Sequence, residues 1–149
     1  MLRAVLDTNI FISSLLNKKG APARLLDLWK DSRYLLLSSP PIIREIKAIL
    51  ELPRIRTKYG LNDLDIQKLL KLIEMDAILV PGIMDIGNAI PEDPSDHIFL
   101  SCALEGGADV IVSGDQHLLK LKKFKGIPIM FVKEFIDLLK KQMNSQISY

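Results

Sequence analysis

Two short apolar runs near opposite ends of the chain constrain its fold more than any other feature. Leu2-Arg3-Ala4-Val5-Leu6 stops at Asp7, and Val110-Ile111-Val112 stops at Ser113-Gly114-Asp115. Arg3 is the only charge in the first run, and the second has none after Asp109. Runs of this kind read as strands buried on both faces, the pattern of central strands in a parallel sheet covered by helices. In such open α/β sheets, chemistry gathers in the crevice outside the carboxyl ends of the strands. Each run delivers a carboxylate to that crevice.

The rest of the chain alternates in the same way. Strands are expected at 2–6, 34–37, 77–80, 109–112 and 127–131, and helices at 9–16, 22–31, 41–52, 63–75, 95–105 and 133–143. Strands separated by crossover helices predict a parallel sheet. Pro40-Pro41 reads as the opening of one helix and Pro53 as its close. Gly106-Gly107 reads as the end of another, and Asn62 or Asp63 as an N-cap. A short helix is expected over Gln116–Leu121, and a frayed polar tail over 142–149. The 149 residues have the length of a single domain, and no repeat divides them.

Composition excludes several classes. With 48% hydrophobic and 26% charged residues, the chain reads as a folded globular domain, not a disordered one. No apolar run reaches the roughly 18 residues of a membrane span. Arg3, Asp7 and Asn9 interrupt the N-terminal stretch, against a signal peptide. A single cysteine, Cys102, permits neither a disulfide framework nor a thiolate metal site. Its neighbours Ile98, Phe99 and Ala103 mark it as a buried, inert thiol. A reducing cytoplasm is the expected setting. Charge is segregated: residues 1–58 carry 11 basic and 5 acidic side chains, 59–117 carry 2 and 11, and 118–149 carry 7 and 2. Basic flanks around an acidic centre suit a polyanion held over a metal pocket. Solvated helix faces would give the same count.

Four acids need an explanation. Asp7 ends the first strand and has the alternative role of N-cap, with Thr8 or Asn9 helping. Glu45 lies in a helix whose Ile42, Ile46 and Ile49 form an apolar stripe. At about 100° per residue it falls about 40° from Ile49, on a shoulder where an unpaired carboxylate is costly. Asp96 follows Asp93-Pro94-Ser95, which reads as N-cap and N1, so Asp96 falls at N3, on the side of Phe99, Leu100 and Ala103. Glu92 and Asp93 read as rim and cap. Asp115 follows Gly114, which permits a tight strand-to-helix turn; capping the helix after it is the alternative. Ser113 offers a hydroxyl to a phosphate, to water or to the turn.

Other features carry less. His97 and His117 have no zinc spacing. Trp29 shares helical spacing with Leu25 and reads as core. Lys120-Leu121-Lys122-Lys123-Phe124-Lys125 fits either an RNA-backbone contact or a solvated loop. Each acid alone has a capping or boundary account, but capping does not require four inward placements in one chain.

Taken in order, Val5-Leu6-Asp7-Thr8-Asn9, Glu45, Asp93-Pro94-Ser95-Asp96-His97-Ile98-Phe99-Leu100 with Ala103, and Gly107-Ala108-Asp109-Val110-Ile111-Val112-Ser113-Gly114-Asp115 resemble the PIN domain family over nearly the full chain. The likeness is greatest to compact prokaryotic members described as toxins of toxin–antitoxin pairs. The resemblance implies a three-layer α/β/α sandwich with a central parallel sheet. It implies an acidic site of Asp7, Glu45, Asp96 and Asp115, with Thr8, Asn9 and Ser113 nearby. It implies Mg²⁺- or Mn²⁺-dependent ribonuclease activity through one or two ions, frequent homodimers, and an antitoxin segment that covers the pocket. His117 departs from the pattern, standing where an acid is common.

Competing assignments fare worse. A haloacid-dehalogenase-like phosphatase wants a second acid two positions after Asp7, where Asn9 stands. A nucleotide-binding module should show a glycine-rich phosphate loop, and none is present. The remaining alternative is a catalytically silent PIN-like scaffold that binds RNA or protein.

Overall fold

The structure is a computed structural model and describes residues 1–87 and 96–147. The expected roles of Glu92, Asp93, Pro94 and Ser95 lie outside the described residues. In chain order the elements are β1 (Arg3–Leu6), α1 (Thr8–Leu16), α2 (Ala21–Lys30), β2 (Leu35–Ser38), α3 (Pro40–Leu50), α4 (Pro53–Tyr59), α5 (Asp63–Asp76), β3 (Ile78–Leu79), α6 (His97–Gly106), β4 (Val110–Val112), α7 (Gln116–Leu121), β5 (Lys123–Phe124), β6 (Ile127–Met130) and α8 (Val132–Ile147).

The strands form one sheet in the order β3-β2-β1-β4-β6-β5. All neighbours run parallel except β5, which returns antiparallel to β6. Helices flank the sheet, completing the α/β/α sandwich. β1 and β4 occupy the centre, with Leu6 in register with Val112. Ala4, Val5, Leu6, Val110, Ile111 and Val112 are all buried, as their near-continuous apolar character requires of central parallel strands. From β1 the order proceeds to β2 on one side and to β4 on the other, so the topological switch point lies between them. Ligand crevices of open α/β sheets form at that point.

The helices pack by their apolar faces. α6 lies against β1, β2 and β4, while α1 packs on α2 and α3. In α3 the buried stripe is Ile42, Ile46 and Leu50. Ile49, expected in the stripe, is only half-buried, as is Glu45 beside it on the wheel. At the far end of the core Tyr34 meets Phe135 edge to face at 5.1 Å. The Tyr34 hydroxyl donates to the Leu25 carbonyl at 2.8 Å, which lets a phenol be fully buried.

Three expectations need correction. Pro53 does not close a helix; α3 ends at Leu50, and Pro53 opens α4 at its first turn. A proline fits either side of a helix boundary because its missing N–H is harmless at N1. α4 has no buried residue, so apolar periodicity could not reveal it. The lysine-rich stretch 120–125, expected as an RNA-backbone contact or a solvated loop, contains the end of α7 and the short strand β5, in which only Phe124 is buried. The final helix, expected to end at 143, continues to Ile147.

The loop after β3 is fastened to the helix that leads to the site. Gly82 N–H donates to Glu105 Oε2 at 2.7 Å, and Ser101 Oγ donates to the Met84 carbonyl at 2.8 Å. Gly82 adopts φ +72, and a Cβ there would stand 2.7 Å from Ser39 Cβ. Ser39 is the N-cap of α3 and accepts from Ile42 N–H. Gly82→Ala should therefore destabilise the fold by about 1–3 kcal/mol. That lowers the melting midpoint by about 2–4 °C per kcal/mol. Thermal and urea denaturation measure it. A stabilised variant, the usual result where glycine is unconstrained, would refute the close approach.

Candidate metal centre

Asp7 sits one residue past β1, and its N–H still extends the ladder, donating to the Val112 carbonyl at 2.9 Å. It is the N-cap of α1: Oδ1 accepts from Asn9 N–H at 3.1 Å. Oδ2 accepts from Ser113 Oγ at 2.6 Å. Ser113 Oγ in turn accepts from Asp115 N–H at 3.0 Å, and Asp115 Oδ1 accepts from His117 N–H at 2.8 Å. Asp115 thereby caps α7. One relay of hydrogen bonds joins the carboxyl ends of β1 and β4 and carries both acids.

The electrostatics are those of a strained acid. Asp7 is 5% exposed and Ser113 is fully buried. Burial raises the Asp7 pKa above the ordinary carboxylate range, because a charge is poorly solvated away from water. The Ser113 hydroxyl and the Asn9 N–H oppose that rise, and the charge of Asp115 adds to it. Asp115 is half-exposed. No basic side chain is paired with Asp7 among the described residues.

The other predicted residues fall as follows. Thr8 is buried at the first position of α1, and its hydroxyl has no hydrogen-bond partner among the described residues. Asn9 is exposed and contributes its backbone N–H to Asp7. Asp96 is 3% exposed and stands at the N-cap of α6 without a side-chain capping bond. Its expected N3 position rested on Asp93 and Pro94, outside the described residues. Glu45 is half-buried on α3, which packs against α6. Asp7 and Asp115 are brought within electrostatic reach of each other. Among the described residues, no group of three or more His, Cys, Asp and Glu side chains is already arranged as a metal-holding cluster.

The donor set nonetheless suits a hard cation in kind. Asp7 and Asp115 offer carboxylate oxygens, and Ser113 and Thr8 offer hydroxyls; Mg²⁺ and Mn²⁺ prefer oxygen ligands. The partnerless Thr8 hydroxyl and the unpaired buried charge of Asp7 are the two features that a bound ion or its ligands would satisfy.

Sequence reasoning missed Ser38. It ends β2, is 1% exposed, and its hydroxyl has no partner among the described residues. Its position after an apolar run, matching that of Asp7, was the available signal. Cys102 is buried, and burial with the nearby Glu105 charge pushes its thiol up to about 12, so it is inert as expected.

Comparison with known proteins gives three results. The family model for the PIN domain matches residues 3–117. An uncharacterized protein of Methanocaldococcus jannaschii is 31% identical over 121 residues, covering 81% of this chain and 76% of that protein. A chain in the crystal structure of VapBC2 from Rickettsia felis, bound to a DNA fragment from their promoter, superposes with a TM-score of 0.55 at 13% identity. That match covers 87% of this chain and 98% of the other. At this identity it shows the fold alone.

The raised Asp7 pKa sets a testable sign. The folded chain holds the Asp7 proton to higher pH than the unfolded chain does. This group's contribution to stability is full below the ordinary carboxylate pKa and is lost as pH rises through the folded value. Asn keeps the cap without the buried charge. In EDTA at pH 7, Asp7→Asn should melt several degrees above wild type, at about 2–4 °C per kcal/mol. The gap should shrink toward pH 4. A variant that melts below wild type at pH 7 would refute the unpaired buried charge.

Proposed function

The chain belongs to the PIN domain family, and on that premise we propose that it is a Mg²⁺- or Mn²⁺-dependent ribonuclease. It cleaves RNA phosphodiester bonds at the crevice between β1 and β4. The observation that carries this reading is Asp7: a buried carboxylate with no basic partner among the described residues, hydrogen-bonded across the switch point to Ser113. Such a group is costly unless a cation neutralises it.

Asp7 and Asp115 would hold the ion, with Asp96 and Glu45 completing the acidic surround. A divalent ion, when bound, supplies Lewis acidity toward the scissile phosphate and its attacking water. The chain's own residues do the rest. Ser113 orients Asp7 through its hydroxyl, and the Asn9 N–H favours the ionised form. The Thr8 hydroxyl has hydrogen-bonding capacity left for a phosphate oxygen or a water. The basic stretches 1–58 and 118–149 favour a polyanion over the acidic centre. No covalent nucleophile is required, since the site's chemistry is hydrolysis by water.

The same reading includes a homodimer, a cytoplasmic setting, and an antitoxin partner whose segment covers the pocket. It is supported by the resemblance to compact prokaryotic PIN proteins. No helix among the described residues is long and apolar enough to cross a membrane. The alternative reading is a catalytically silent RNA- or protein-binding scaffold.

Cleavage of a mixed single-stranded RNA pool with Mn²⁺, Mg²⁺ or EDTA separates the two. Wild type should cleave only with metal. Asp7→Asn should fall below detection, and Ser113→Ala, which loses the group that orients a ligand, should lose about 10–100-fold. RNA binding without cleavage under any metal would establish the scaffold instead. Equal cleavage by wild type and Asp7→Asn would place the chemistry elsewhere.

A further inference from the structure

We propose that the corner where α7 meets β5 carries the substrate strand out of the crevice, with Lys122, Lys123 and Lys125 holding its phosphates. This path rests on RNA as the substrate of the proposed function. From Gln116 through Lys133 the sequence holds five lysines and no acid. Lys122, Lys123 and Lys125 are exposed, and none is in an ion pair among the described residues. Lysines that neutralise the phosphates of a single strand bind it by releasing its counterions.

The backbone sets two of these lysines apart. Among the described residues, Ser32, Lys122 and Lys125 are the non-glycine residues with positive φ. Lys125 (φ 48) and Gly126 (φ 84) form the two-residue loop between β5 and β6. Positive φ at both positions is type I′ geometry, which prefers Asn, Asp or Gly where Lys125 stands. Lys122, at φ 59, ends α7, where glycine is the usual residue. A side chain in this region lowers stability, and such strain gathers where a ligand is held. Both side chains are exposed, so packing does not account for the choice. The Lys125 ammonium lies 5.8 Å from the centre of the Phe124 ring, a weak contact at an exposed site. Edge lysines also discourage strand addition, but Lys123, on the strand itself, is enough for that. It does not explain lysine at the two positive-φ positions beside it.

Two routes place these lysines beside the crevice. α7 starts directly after Asp115 and ends at Leu121, a span of about 9 Å. Across the sheet, Ser113 N–H donates to the Met130 carbonyl, and Ile129 N–H donates to the Lys122 carbonyl at 2.9 Å. Lys122 thus stands two strand spacings from β4, roughly 10 Å, toward the carboxyl end of the sheet. From there Lys123 pairs with Pro128 and Phe124 with Ile127, so the hairpin runs toward the amino end. Lys125 stands at its tip, about 10 Å further on. The three cations form a line along the sheet edge that begins beside the crevice and leads away from it. A strand with its scissile phosphate between Asp7 and Asp115 reaches Lys122 first and Lys125 last.

Binding is measured on the full chain in EDTA, so that metal-dependent cleavage is off. The probe is a labelled single-stranded RNA of about 20 nucleotides, read by fluorescence anisotropy at several salt concentrations. The triple variant Lys122→Gln, Lys123→Gln and Lys125→Gln should lower the slope of log affinity against log salt by about 2, at roughly 0.7 per phosphate contact. Lys68→Gln, Lys71→Gln and Lys140→Gln remove the same charge from exposed positions on α5 and α8 and should lower it far less. The double variant Lys122→Gly with Lys125→Gly should melt a few degrees higher yet bind RNA more weakly, a pairing that a purely structural role would not give. With Mn²⁺ the triple variant should raise KM and leave kcat within about twofold, because the phosphates it holds flank the reacting one. A slope unchanged in the triple variant, an equal loss in the control, a double variant that melts lower, or tighter binding of a duplex DNA of the same length would each overturn the path. The nuclease is read apart from it. A chain that binds RNA through these lysines and cleaves nothing refutes the nuclease and keeps the path; a metal-dependent nuclease whose slope ignores them does the reverse.

Discussion

The hydrogen bond from Ser113 to the buried carboxylate of Asp7, 2.6 Å long, is the interaction on which the site depends. It ties together the ends of the two central strands. An acid this buried is destabilising when charged, and a hydroxyl donor is one of the few groups that favours the charge without neutralising it. An arginine in its place would stabilise Asp7 better and would occupy the crevice. A serine leaves the negative charge available. The same oxygen accepts from Asp115 N–H, so the turn that presents the second acid is fastened to the first. Position and electrostatics are set by one three-residue turn, Ser113-Gly114-Asp115.

The fold places that turn at the topological switch point of the sheet. The strand order diverges from β1 toward β2 and β4, and crossover helices on diverging connections leave an opening above the central pair. Asp7 and Asp115 both follow strands of that pair. α6, with Asp96 at its N-cap, packs against β1 and β4. The Gly82 contact with Ser39 serves the same end at longer range, fixing the approach of the chain to α6 against the cap of α3, the helix of Glu45.

Much of this was legible in the sequence because it rests on strong local signals. β4 is an uninterrupted apolar run and β1 is one after Arg3, so their central position and their terminal acids could be read directly. Gly107, at φ 65, ends α6 as glycine does at a helix C-terminus. What could not be read follows from weak or shared signals. α4 buries nothing, β5 has two residues, and Pro53 has the same meaning before a helix as after one. The stripe on α3 was displaced by one position, Leu50 for Ile49, because a wheel cannot tell which of two adjacent apolar residues the core will take. Glu45 keeps its shoulder position under either choice. Ser38 was overlooked because a buried serine has no composition signature; only its place at a strand end, level with Leu6, distinguishes it. The distances among four acids on separate elements are tertiary facts, and no spacing along the chain encodes them.

Capping and chemistry, which the sequence presented as rival accounts of Asp7 and Asp115, are compatible in the structure. Both residues cap helices: Asp7 through Oδ1 to Asn9 N–H, Asp115 through Oδ1 to His117 N–H. A cap bond uses one lone pair of one oxygen, and a carboxylate has about four acceptor sites. The N–H groups at a helix N-terminus also favour the ionised acid, the form that a cation or its ligands require. Capping therefore fixes the orientation of each carboxylate and leaves acceptor capacity on it. A site assembled from caps at the ends of adjacent strands needs no dedicated scaffold beyond the sheet and the first turns of its helices. That is why the local sequence around each acid looks ordinary, and why only the pairing of β1 with β4 gives the two acids a common purpose.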